Sequence, residues 1–206
     1  SLGDSENLEI APFSEISKGD FLNQAAELGD LVLSKLIWSK DTATFYKVIS
    51  LLGENEKAGG AFNVNDADCS LYDGLAGVAL YLAHLGDLTG QDRYTQAARA
   101  LLANLRGQTF SKDRGSYSIS AYLGDVSAIY TFTQLGLLWD EAVLIDEAEK
   151  LLKPLLDHVS EDSNYDVLLG AAGAILGVLP LAKLRPRQSK KFLTKCGDHL
   201  MALGPP

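Results

Sequence analysis

From Phe21 onward apolar residues recur at spacings of three and four: Leu22, Ala25, Ala26, Leu28, Leu31, Val32, Leu33, Leu36 and Ile37. That is the period of one helix face, and Asp20 stands where an N-cap is expected. A second amphipathic stretch, Ala43 to Leu52, ends at Gly53 and reads as a second leading helix. Residues 53–70 collect Gly, Asn, Asp and Glu with almost no core material, which predicts a long loop. Residues 1–20 are polar and read as loose.

From Leu71 the chain becomes strongly helical. Residues 72–85 form one apolar stretch ending at Gly86, a residue suited to closing a helix. After turn chemistry at Thr89-Gly90-Gln91-Asp92, Arg93 to Leu105 is amphipathic, with Tyr94, Ala97, Ala98, Leu101, Leu102 and Leu105 on one face. The unit then repeats as Tyr122 to Leu135 with Gly136, and Glu141 to Val159. It repeats again as Val167 to Leu184 and Ser189 to Leu203. Gly74, Gly124 and Gly170 hold the same place in three units, followed three residues later by Gly77, Ser127 and Gly173. Strand signals are nearly absent. The pattern predicts an all-α fold of helical-hairpin repeats, stacked as an open solenoid or a closed ring. The recurring small residues favour a two-layer ring. Its inner helices (72–85, 122–135, 167–180) are small and nearly uncharged, and its outer ones (93–105, 141–157, 189–203) are amphipathic.

Composition narrows the function classes. The 206 residues carry 18 Lys+Arg against 27 Asp+Glu, for a formal charge of -9 and no basic cluster. Nucleic acid is therefore not the expected partner. No apolar run reaches the length of a membrane span, and the polar start has no signal-peptide pattern. Two cysteines, Cys69 and Cys196, lie far apart, which suits a reducing cytoplasm and excludes a disulfide framework. The chain starts without Met and stops at Leu203-Gly204-Pro205-Pro206. It is expected to be a piece of something longer.

Three blocks carry a resemblance. Ser70-Leu71-Tyr72-Asp73-Gly74-Leu75-Ala76-Gly77-Val78-Ala79-Leu80-Tyr81-Leu82-Ala83-His84-Leu85-Gly86 resembles the first repeat of lanthionine synthetase cyclase domains. Leu123-Gly124-x-x-Ser127-Ala128-Ile129-Tyr130 resembles the second, with Asp125 and Ser127 in place of the usual Leu and Gly. Tyr165-Asp166-Val167-Leu168-Leu169-Gly170-Ala171-Ala172-Gly173-Ala174-Ile175-Leu176 resembles the third. The match is with the C-terminal cyclase region of class II, LanM-type, lanthipeptide synthetases, over its N-terminal half.

The resemblance implies part of an α/α toroid, here incomplete. Residues 1–66 would be a leading segment, and residues 67–206 would hold three hairpin repeats. It implies an enzyme that adds peptide cysteine thiolates to dehydroalanine or dehydrobutyrine, forming thioether rings. It implies zinc in the parent enzyme, a dehydratase domain and the rest of the cyclase as neighbours, and a precursor peptide as substrate. The family's zinc ligands lie in Trp-Cys-x-Gly and Cys-His-Gly segments, and the 206 residues contain neither. This chain alone is thus expected to hold no zinc and to lack cyclase activity. Asp166 matches the family's active-site acid and is the candidate catalytic residue.

The residues read without the family give quieter roles. Asp166 and Asp73 would each cap a helix start. Cys196 and His199 are three apart on one helix face, but two ligands do not close a zinc site. Cys69 reads as a free thiol, and His84 and His158 as helix C-terminal residues. Two other readings remain. One is a helical-repeat module that binds a peptide or protein. The other is part of another α/α-toroid enzyme such as a glycosidase, for which Asp73, Asp125 and Asp166 would supply carboxylates. The last hairpin's uncovered flank is expected to drive self-association.

Overall fold

The computed structural model describes residues 17–51 and 61–202. The leading residues 1–16, the centre of the expected loop (52–60) and residues 203–206 lie outside the described residues.

Helix α1 (Lys18–Lys35) opens with a capping box, in which Ser17 Oγ accepts from Asp20 N at 3.2 Å and Asp20 Oδ2 accepts from Ser17 N at 2.9 Å. The N-cap is therefore Ser17, and the expected cap Asp20 is its partner three residues on. The described part of the stretch expected as a second helix, residues 43–51, is not helical. It contributes to two antiparallel ribbons, β1 (Ile37–Ser39) with β2 (Thr42–Thr44), and β3 (Tyr46–Leu51) with β4 (Ala61–Asp66). β4 falls inside the expected loop. Ala43 and Ala67 are buried against the first hairpin, where Asn104 Nδ2 donates to Ala43 O and Gln108 Nε2 to Ala67 O.

The rest is three hairpins: α2 (Leu75–Thr89) with α3 (Asp92–Thr109), α4 (Asp125–Leu138) with α5 (Ala142–His158), and α6 (Ala171–Leu184) with α7 (Pro186–Met201). α2, α4 and α6 pack side by side as the inner layer, and α3, α5 and α7 lie outside. This is the all-α, two-layer repeat that the glycine spacing predicts. The core is continuous through the hairpins, with Leu82, Tyr94, Leu101, Phe132, Leu144, Leu155, Leu181 and Phe192 fully enclosed. The outer layer is laced by ion pairs. Arg99 meets Glu141 at 2.7 Å, Arg106 meets Glu147 at 2.6 Å, and Arg185 meets Asp146 at 2.7 Å.

The inner helices differ from the sequence reading at their ends and at their starts. Gly86 and Gly136 lie within α2 and α4, where the outer helix crosses: Thr95 N and Ile145 Cδ1 would sit 3.0 and 2.6 Å from an added Cβ. α2 instead closes on Gly90, whose φ of 66° is left-handed. Each inner helix also starts about one turn later than expected. Residues 71–73, 121–123 and 167–169 form a tight turn, and Gly74, Gly124 and Gly170 are the N-caps. A Cβ at Gly74 would lie 2.5 Å from Asp68 O, so the turn folds back where only glycine fits.

Candidate active site

The three turns line one end of the inner layer and share a plan. Four residues before each capping glycine, a side chain accepts the N–H three residues on. The pairs are Ser70 Oγ with Asp73 N (3.2 Å), Ser120 Oγ with Leu123 N (3.0 Å) and Asp166 Oδ1 with Leu169 N (2.6 Å). Turns are also bonded to one another. Leu71 N donates to Tyr122 O at 2.8 Å, and Ser120 Oγ to Leu168 O at 2.9 Å. The sequence thus builds a continuous rim from one repeated local bond and from bridges that differ in donor but end on the carbonyl two residues before the next capping glycine.

Asp166 belongs to that rim. It is exposed, and its Oδ2 takes no hydrogen bond among the described residues. It closes the turn ahead of α6 and does not cap the helix, whose N-cap is Gly170. Its counterparts are Ser70 and Ser120, so the expected equivalence with Asp73 fails. Asp73 stands next to Gly74, where its Oδ1 accepts from Lys47 Nζ at 2.8 Å and from Ser70 Oγ at 2.7 Å. Asp125 is different again: it starts α4, accepts Ser118 N at 2.8 Å and pairs with Arg114. The structure therefore does not bring Asp73, Asp125 and Asp166 together as equivalent carboxylates. Beside Asp166 lies an apolar cleft of about 190 Å³, lined by Leu71, Tyr122, Tyr130, Val167, Leu176 and Gly177 among others. Leu168 and Leu169 are exposed next to it.

Lys47, reaching from β3, bridges Asp73 and Asp68, the latter at 2.9 Å. For Asp68, burial raises the carboxyl, but the Lys47 ammonium and the Ser70 N–H outweigh it and hold it below the ordinary range. For Lys47, burial opposes the charge, and the two carboxylates reverse this and hold the ammonium above its ordinary value.

The remaining singled-out residues are placed as follows. Cys69 is half-buried, with its thiol 3.3 Å from Gln108 Oε1, and burial pushes that thiol up. His84 is exposed on α2, five residues before its end, and His158 closes α5 with Nδ1 2.8 Å from Glu161 Oε2. Cys196 is enclosed, and burial, then the nearby Asp162 charge, pushes its thiol up to about 12. His199 turns its Nε2 to Asp162 O at 3.0 Å. A protonated thiol in the core and an imidazole already committed do not suit zinc, which takes thiolate and a free ring nitrogen. Among the described residues no three His, Cys, Asp or Glu gather where a metal could sit.

The sequence reading missed Asp162. Its side chain is 2% exposed and accepts N–H bonds from Asn164 (3.0 Å), Tyr165 (3.3 Å) and Ala171 (2.8 Å). Its signal was Asp-Ser-Asn-Tyr, side chains that bond backbone two residues on, read only as the approach to Asp166.

No curated protein matches the chain. The family model described as "Lanthionine synthetase C-like protein" matches residues 65–204, the span of all three hairpins and their rim. With the helical-hairpin repeat, the glycine-capped turns and this match together, the chain belongs to the lanthionine synthetase C-like family.

Proposed function

We propose that this chain is part of the cyclase region of a class II, LanM-type, synthetase, and that Asp166 is a proton carrier in thioether ring formation. The observation that carries the reading is Asp166 itself: an exposed carboxylate on the inner rim, one oxygen fixed by Leu169 N–H and the other free.

The reaction joins a peptide cysteine to a dehydroalanine or dehydrobutyrine. The cysteine thiol gives up its proton, its sulfur bonds to the β-carbon, the double bond shifts to an enolate, and a proton is added at the α-carbon. Sulfur and proton thus arrive on adjacent carbons, and the proton must be delivered separately. Asp166 can hold that proton on its free oxygen while its fixed oxygen keeps the carboxyl aimed at the rim. The apolar cleft beside it offers a surface for the peptide's apolar side chains. Zinc, which the resemblance implies for the parent, would activate the thiol there; the described residues offer it no ligand set. In the same reading, exposed Leu176 and Leu179 on α6 are covered by the next hairpin of the ring.

The test is Asp166→Asn in the full-length protein, given a dehydrated precursor peptide. Ring closure is followed as the loss of alkylatable thiols by mass spectrometry. The rate is expected to fall by about 10²–10⁴, the usual contribution of positioned acid–base groups. An unchanged rate would leave Asp166 with its turn-closing bond alone. Sequencing the gene on both sides tests the class II placement, since a dehydratase region must precede the cyclase in the same frame.

A further inference from the structure

The third rim turn is built differently from the first two. The N–H just after the capping glycine is bonded by a main-chain carbonyl in the first two repeats, Leu75 N to Asp68 O and Asp125 N to Ser118 O, both at 2.8 Å. These carbonyls lie six residues before the glycine. In the third repeat the same N–H, that of Ala171, donates to the Asp162 carboxylate from eight residues before Gly170. One carboxylate oxygen thus replaces a stretch of main chain, while the other holds Asn164 N. Between these bonds Tyr165, immediately before Asp166, adopts a left-handed φ of 60°, which a non-glycine residue holds only when its surroundings fix it.

The surroundings come from the outer layer. His199 on α7 places Nε2 3.0 Å from Asp162 O and packs its ring, tilted by 33°, with its centroid 5.2 Å from that of Tyr165. A chain of direct contacts therefore runs from His199 through Asp162 and Tyr165 to Asp166.

We propose that Asp162 and His199 are positioning residues: they touch no substrate, and they set the turn that presents the free oxygen of Asp166 at the rim. This rests on the reading of Asp166 as the proton carrier. It explains why a nearly enclosed carboxylate is used where the other two repeats manage with backbone. A carboxylate reaches Ala171 N from outside the turn, and so frees residues 163–166 to take a different path.

The experiment uses the full-length protein with dehydrated precursor peptide. Asp162→Asn presents an amide NH₂ to one of the N–H groups now accepted by carboxylate oxygens. It is expected to lower kcat by about 10–100-fold, the scale of an ångström-level misplacement, with KM nearly unchanged. His199→Phe keeps the packed ring and loses the donor, and is expected to slow the reaction likewise. His199→Gln restores a donor and is expected to recover most of the rate. The deciding measurement is the double variant Asp162→Asn/Asp166→Asn. Positioning through Asp166 predicts that it is no slower than Asp166→Asn alone, because residues acting as a unit are not additive.

A wild-type rate in Asp162→Asn overturns the proposal, and so does a double variant slowed by the product of the two single effects. If Asp166→Asn is itself as fast as wild type, the proton-carrier reading fails and this proposal falls with it. A slow Asp166→Asn beside a fast Asp162→Asn removes the positioning role alone. Should Asp162→Asn not fold, the contrast between His199→Phe and His199→Gln decides: equal rates overturn the proposal.

Discussion

Gly173→Ala is a one-methyl change whose sign can be worked from the structure. In a helix interior Ala is better than Gly by up to about 1 kcal/mol. At Gly173, however, an added Cβ would collide with Val167 O, lie 2.7 Å from Val167 C and press to 3.1 Å on Ala121 Cβ. Two of these are backbone atoms, which yield only by moving the turn. Overpacking of this kind costs about 1–3 kcal/mol. The net expectation is a loss of about 1–2 kcal/mol, or a Tm lower by about 2–8 °C for a chain of this size.

Gly197 on α7 is the internal control, because an added Cβ there meets nothing within 4 Å. Gly197→Ala is expected to raise Tm by about 1–4 °C through helix propensity and a smaller unfolded-state entropy. The two variants should move in opposite directions in parallel thermal melts monitored by circular dichroism. Because Val167 follows Asp166, Gly173→Ala should also weaken protection of the Leu169 amide in hydrogen exchange. A Gly173→Ala melt at or above wild type would refute the close-approach argument.

Other outcomes follow from the charges and thiols. The clasp of Lys47 with Asp68 should contribute across neutral pH. The depressed Asp68 carboxyl contributes above its unfolded value near 3.8 and is lost as pH falls through its lower folded value. The raised Lys47 contributes below 10.5 and is lost as pH rises through its higher folded value. Lys47→Met should therefore flatten the acid limb of the stability–pH curve measured by urea denaturation, and an unchanged limb would remove the clasp. Cys196, with its thiol pushed up to about 12, should resist iodoacetamide at pH 8 in the folded chain while Cys69 reacts slowly. Peptide mapping that finds Cys196 alkylated first would contradict its enclosure.

The repeat was legible because the same physics was written three times: period-3.6 apolar positions and a glycine where each turn folds back on itself. The helix starts were misjudged together for one reason. Residues 121–123 and 167–169 are as apolar as the helices they precede, and Leu71-Tyr72 lead into Asp73, which reads as a cap, so apolar pattern alone does not distinguish a turn packed on the rim from a first helical turn. The ribbons were missed because β3 breaks its alternation at Val48-Ile49, and the alternating Phe62-Asn63-Val64-Asn65 of β4 is short and set among Gly, Asn and Asp. Asp166 could be found from sequence because its neighbours match a family. For Asp162 the sequence showed only a local turn signature, because its further role depends on Ala171, nine residues away, and on His199 of α7.

The bridges along the rim also change what an amide reports. The N–H of Leu71 belongs to the first repeat, but the oxygen that shelters it, Tyr122 O, belongs to the second. The Ser120 hydroxyl likewise donates to Leu168 O of the third. Each hairpin therefore borrows part of its closure from its successor, and melting of one uncovers a donor in the one before. Stability along such a chain is a nearest-neighbour sum, and loss of order in one hairpin should pass to its neighbour in cooperative units rather than residue by residue.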